Sequence, residues 1–65
     1  MQKKVIKLTN YKNETILIGV ESIIDVISEN RGDIGKVSVI RSRGAMVETN
    51  YVLESIDEIY NLINK

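Results

Sequence analysis

The feature of this sequence that most limits its fold is its load of β-branched aliphatic residues. Eleven Ile and seven Val occupy 18 of the 65 positions, and the chain contains no Phe, Trp or Pro. Branching at Cβ restricts side-chain rotation in a helix and suits the pleated surface of a sheet, so this composition favours strands. With Pro absent, Gly and Asn must provide the chain breaks. We therefore expect a mainly β protein.

Five segments have strand-like length and apolar patterning, and Lys12 with Asn13 forms a hairpin turn between the first two, with Asn13 suited to a positive φ. The third segment also fits a helical period in part, and we interpret it as a strand because it is rich in β-branched residues. The five predicted strands span residues 5–11, 15–20, 24–29, 36–43 and 45–52.

The C-terminal segment has the pattern of a short amphipathic helix. Ser55 and Glu58 have the spacing of a capping box, in which each side chain bonds the other residue's backbone amide. Apolar residues then recur at helical spacing, which predicts a helix over residues 55–64. The predicted order is β-β-β-β-β-α in a single domain over residues 1–65. We expect a small, bent antiparallel sheet or a partly open barrel.

The size of the chain makes a solitary core marginal. A domain of 7.4 kDa buries only about 60% of the surface that its unfolded chain exposes. Cys and His are both absent, so disulfides, ordinary zinc sites and imidazole chemistry are excluded. We expect no cofactor and no metal, a cytoplasmic location, no membrane span, and stabilisation by self-association.

A small group of residues on the fourth predicted strand is the candidate site for an anionic ligand. Arg41 and Arg43 are two positions apart, so their side chains project from the same face of a strand. Gly44 follows them and could leave backbone amides open to an anion, and Lys36 begins the same strand. Ordinary solvated strand faces are the alternative interpretation. A formal net charge of zero makes nucleic acid the less favoured partner.

A second group of residues is the candidate interface. A helix of about ten residues is not stable in isolation in water, so its apolar stripe must pack against the sheet or against a partner. Tyr side chains suit interfaces because they combine an apolar ring with a polar tip. The candidate interface residues are Tyr51, Ile56, Ile59, Tyr60 and Ile63.

Three segments resemble the small FlbD/SwrD family of flagella-associated proteins, which includes phage-borne members. They are residues 5–9 (Val-Ile-Lys-Leu-Thr), residues 21–27 (Glu-Ser-Ile-Ile-Asp-Val-Ile) and residues 52–59 (Val-Leu-Glu-Ser-Ile-Asp-Glu-Ile). The resemblance implies a small, non-enzymatic β protein that acts by binding. The strand-rich layout that ends in a Ser-capped helix is also similar to the larger, more basic LytTR domain, which implies DNA binding.

These observations lead to one functional expectation and two alternatives. We expect a non-enzymatic, homo-oligomeric interaction module whose partner is a second copy or another protein. The first alternative is an oligomer that binds or sequesters a nucleotide-like anion at subunit junctions, with Lys36, Arg41, Arg43 and Gly44 at the mouth. The second is a DNA-binding regulator of the LytTR type.

Overall fold

A computed structural model describes residues 4–65 of the chain. It is mainly β with one C-terminal helix, which confirms the predicted fold class. A short 3-10 turn, Val20–Ser22, lies between the second and third strands. The strands are β1 (Val5–Thr9), β2 (Thr15–Gly19), β3 (Ile23–Arg31), β4 (Gly35–Arg43) and β5 (Val47–Val52), and the helix is α1 (Ile56–Ile63).

The strands form two antiparallel sheets, with orders β1-β2 and β3-β4-β5. The sheets are joined at one corner, where the Tyr11 amide donates to the carbonyl of Tyr51 at 3.0 Å. Next to it, the Leu53 amide donates to the carbonyl of Thr9 at 2.8 Å. The predicted bent sheet or partly open barrel is thus realised as two sheets that meet at the ends of β1 and β5 without closing.

The third predicted strand is a strand, and it is longer than its sequence pattern indicated. β3 pairs with β4 from Ile23 to Arg31, with a register shift between Ile23 and Asp25. The 3-10 turn ends at Ser22, so the residues whose pattern partly fits a helix lie within the strand itself. Gly35, which follows the turn after β3, has a φ of +89°, a conformation that favours glycine.

The core lies between the two sheets and the helix. Val26 on β3 lies opposite Ile40 on β4, which is completely buried, and both face this core. Because side chains alternate along a strand, Ile27 and Val39 face the opposite way, and we call that side the outer face of the three-stranded sheet. The core cluster is Ile6, Leu8, Ile18, Ile40, Val52 and Ile59.

The helix is capped at both ends by side chains. The Ser55 hydroxyl accepts from the Glu58 amide and the Glu58 carboxylate accepts from the Ser55 amide, both at 3.1 Å, which confirms the capping box. The last turn of the helix has no basic residue of its own. Lys4, immediately before β1, supplies the positive charge by donating to the carbonyls of Ile63 and Lys65. The helix is therefore fixed to β1 across almost the whole chain length.

Within residues 4–65, no helix has both the length and the apolar character that crossing a bilayer requires.

Candidate functional site

The structure does not bring the predicted anion-binding residues together. Lys36 and Arg43 lie near opposite ends of β4, seven positions apart. At about 3.3 Å per residue, their Cα atoms are separated by roughly 23 Å. Both side chains are exposed, but a single nucleotide-sized anion cannot contact the two within one chain.

Arg41 is occupied by an acidic neighbour. It lies opposite Asp25 on β3, and its Nε donates to Asp25 Oδ1 at 2.8 Å while its Nη2 donates to Oδ2. The hydrogen bond from Arg41 holds the pKa of Asp25 below its ordinary value, and the same pair raises the pKa of Arg41. This two-point pair neutralises the guanidinium, so an anion would have to displace Asp25 to reach it.

Arg43 and Gly44 line a cavity of about 330 Å³ between β2 and the turn after β4. The Gly44 amide donates to the carbonyl of Met46 at 3.1 Å. It is therefore not the open donor that the sequence predicted. Glu48 also lines this cavity, and a carboxylate opposes the binding of an anion there.

Lys36 lines a different groove, between the start of β4 and the start of α1. Two acidic side chains, Glu54 and Asp57, share this groove, and Leu53 and Ile56 form its apolar part. The groove is thus mixed in charge and partly apolar, which does not favour an anion.

The five predicted interface residues fall into two groups. Ile59 is 1% exposed and belongs to the chain's own core, and Ile63 packs against that core. The helix stripe therefore docks on the chain's own sheets, which was one of the two outcomes expected for it. Ile56 and Tyr60 remain on the surface, and Tyr60 is 65% exposed. Tyr51 is half-buried on β5.

Tyr51 belongs to a cluster of rings and cations that the sequence analysis missed. Its ring meets that of Tyr11 edge-on, with ring centres 6.2 Å apart. The guanidinium of Arg31 lies 4.6 Å from the centre of the Tyr51 ring, and Lys12 Nζ lies 5.8 Å from that of Tyr11. Such contacts contribute about 0.5–1 kcal/mol each at exposed sites. The cluster forms because the ends of β1 and β5 pair, and no local sequence pattern indicates that pairing.

The outer face of the three-stranded sheet carries both apolar and charged side chains. Val39 at its centre is buried although the core lies on the other side, and on the same face the guanidinium of Arg31 from β3 lies over the ring of Tyr51 from β5. Arg31 is held there by Glu29, whose carboxylate accepts from Nη1 at 2.9 Å. Ile27, in the row of Val39 and Tyr51, is 53% exposed. This face therefore ends in an open apolar position at the β3 side.

Other large apolar side chains are exposed beyond this face. Met46 is 77% exposed at the turn between β4 and β5, and Leu17 is 66% exposed on β2, opposite Lys7. The described residues contain eleven exposed large apolar side chains: Val5, Tyr11, Leu17, Ile24, Ile27, Ile34, Met46, Val47, Leu53, Ile56 and Tyr60. These surfaces could therefore bind a partner through apolar contacts, ion pairs and the free edges of strands.

Comparison with models of protein families, with curated proteins and with solved structures gives no match for this chain.

Proposed function

We propose that this protein is a homo-oligomeric interaction module that acts by binding rather than by catalysis. The observation that carries the proposal is the balance of apolar side chains within residues 4–65. Eight aliphatic side chains are buried there, whereas eleven large apolar side chains are exposed. Six further apolar side chains are half-buried against the core. Single exposed apolar residues are normal on a monomer, but an exposed set this large on so small a chain supports a surface that binds a partner.

The energetic argument follows from the size of the core. Burial of apolar surface contributes about 25 cal/mol per Å², and it must offset a conformational entropy cost of similar total size. Two of the eight buried side chains, Val37 and Val39, lie on the outer face, so the core proper is smaller still. Association of copies would bury more apolar surface for the same chain length. Oligomerisation is one way in which small domains without disulfides or metals gain stability.

The resemblance to the FlbD/SwrD family supports the same proposal, since it implies a small β protein that acts by binding. A second copy of the chain is the partner we propose first, because its surfaces carry both ion-pairing and apolar groups. Another protein is the alternative partner for the same surfaces. A cytoplasmic location is part of the proposal, because a chain without cysteine needs no oxidising compartment to fold.

The test is the mass of the protein in solution. Light scattering and sedimentation velocity at about 1–100 μM should give a multiple of 7.4 kDa, and a stable monomer throughout this range would refute the proposal. Thermal unfolding gives an independent check, because association of folded chains makes the midpoint rise with protein concentration. A midpoint that is independent of concentration counts against association in the folded state.

A further inference from the structure

β3 is a long edge strand with one free edge. It spans nine residues and, within residues 4–65, its ladder partner is β4 alone, so its other edge presents unpaired backbone groups. Natural edge strands are usually short or carry charged side chains, Pro or a bulge. β3 has no Lys or Pro, and its charged residues, Asp25, Glu29 and Arg31, have signs that can pair between two copies. Its bulge lies at its first residues, between Ile23 and Asp25. The other edge strands are shorter: β1 and β2 have five residues each and β5 has six.

We propose that β3 pairs antiparallel with β3 of a second copy about a two-fold axis at Ser28, joining two three-stranded sheets into one of six strands. The inference rests on the proposed homo-oligomeric function and names its interface. A two-fold axis perpendicular to the sheet keeps the outer faces of both copies on the same side. Each outer-face residue of β3 must then lie opposite an outer-face residue of the second copy.

The regular part of β3 favours this register. Beyond the bulge, β3 pairs residue by residue with β4 from Asp25 to Arg31. Ser28 is the midpoint of that segment. An axis at Ser28 therefore lets all seven regular residues pair, whereas an axis shifted along the strand loses pairs at one end or includes the bulge.

The charges on the outer face select the same register. With the axis at Ser28, Asp25 lies opposite Arg31 of the second copy, and the symmetry repeats this pair. With the axis at Ile27, Asp25 would lie opposite Glu29, which places like charges together twice. With the axis at Glu29, the two Glu29 side chains would oppose each other. Directly opposed like charges destabilise a strand pair, and opposite charges stabilise it.

The groups involved have capacity for the new contacts. Arg31 uses Nη1 for Glu29, and a guanidinium has five N–H donors in all. Its guanidinium lies over the Tyr51 ring on β5, so pairing with Asp25 of the second copy requires the side chain to turn toward the free edge of β3. Each Asp25 oxygen accepts one bond from Arg41 and can accept a second. Ile27, which is 53% exposed at this edge, would lie diagonal to its symmetry mate, at a Cα separation of roughly 7–8 Å. Its direct partner in this register is Glu29 of the second copy, so the stem of Glu29 and the diagonal Ile27 together cover the open apolar position on the outer face.

The sharpest test is a single cysteine, because the natural chain contains none. In the proposed register the two Ser28 residues oppose each other at about 4.5–5.5 Å between Cα atoms, which is within disulfide range. Ser28→Cys should therefore form a covalent dimer under mild oxidation, seen on a non-reducing gel. Asn30→Cys is the matched control on the same face of β3: the two Asn30 residues would be offset by about 13 Å along the strand and should not crosslink.

A charge exchange tests the same register without oxidation. Asp25→Arg alone and Arg31→Asp alone each place like charges opposite one another, so each variant should lose dimer by light scattering. An equimolar mixture of the two variants places opposite charges together at both positions and should restore it. Circular dichroism checks that each variant folds, and the cysteine test stands if one does not.

The outcomes separate this inference from the proposed function. Efficient crosslinking of Ile27→Cys or of Asn30→Cys in place of Ser28→Cys refutes the register. A natural chain that is oligomeric by light scattering while no β3 cysteine crosslinks refutes the β3 interface and leaves the proposed function standing. A monomeric natural chain refutes both.

Discussion

The backbone amide of Thr9 donates to both carboxylate oxygens of Glu54, at 2.9 and 3.0 Å. The carbonyl of Glu54 in turn accepts from the hydroxyl of Ser38, which is almost fully buried, at 2.7 Å. Glu54 thus ties the end of β1 to the middle of β4 at the point where β5 leads into α1. The two sheets do not close into a barrel, so few backbone bonds join them. The bonds of Glu54 therefore help to fix the β1-β2 hairpin and the start of the helix against β4.

We expect Glu54 to be more important for stability than a surface acid. Glu54→Ala should lower the free energy of unfolding by about 2 kcal/mol, because it removes the charged acceptor and leaves the Thr9 amide without a hydrogen-bond partner. Glu54→Gln keeps an acceptor oxygen but not the charge, and should cost about 1 kcal/mol. Urea denaturation at fixed protein concentration measures both values. Glu48→Gln on exposed β5 is the matched control, and a loss as large as that of Glu54→Gln would contradict the assignment.

The parts of the fold that the sequence predicted are those encoded by neighbouring residues. The capping box of Ser55 and Glu58 and the positive φ of Asn13 both depend on a few adjacent positions, and both are present. The strands follow from alternation and β-branching in the same way. The ends of the strands are predicted less well. β3 runs two residues beyond its predicted end, because polar residues continue the pairing there.

The parts that the sequence did not predict depend on register between distant segments. Arg41 was expected to bind an anion, but the register of β3 and β4 places Asp25 against it. The Tyr11–Tyr51 contact and the Thr9–Glu54 bonds arise where β1 meets β5, about 40 residues apart in the chain. Such pairings are set by the whole core rather than by local pattern.

The capping box gives a prediction for the helix. Ser55→Ala removes the acceptor of the Glu58 amide and should lower the free energy of unfolding by about 1 kcal/mol. Ser55→Asp keeps an acceptor at the N-cap and adds a favourable interaction with the helix dipole, so it should cost little. Thermal unfolding followed by circular dichroism distinguishes the two. Equal losses for the two variants would show that the cap does not stabilise the helix.

The hairpin between β1 and β2 gives a prediction for backbone strain. Asn13 has a φ of 67°, and the side chain of Asn10 fixes the loop by accepting from the amides of Lys12 and Glu14, both at 2.9 Å. Asn13→Ala should destabilise the protein by about 1 kcal/mol, because Ala lacks the short polar side chain that lets Asn tolerate the left-handed region. Asn13→Gly should be close to neutral, since easier access to this conformation offsets a more flexible unfolded chain. An Ala variant as stable as the Gly variant would place the loop in another conformation.

The Asp25–Arg41 pair gives a prediction for pH dependence. Its hydrogen bond lowers the pKa of Asp25 in the folded state below the ordinary value of 3.8. Folding is therefore favoured by this group while the carboxylate is ionised, so its contribution is complete above about pH 4 and is lost as the pH falls through the folded pKa. Asp25→Asn should lower the unfolding midpoint by a small, constant amount between about pH 5 and 8, and the difference should disappear near about pH 2. Asp33→Asn, in the exposed turn after β3, is the control; a difference for Asp25→Asn that persisted or grew in acid would mean that the ion pair does not stabilise the fold.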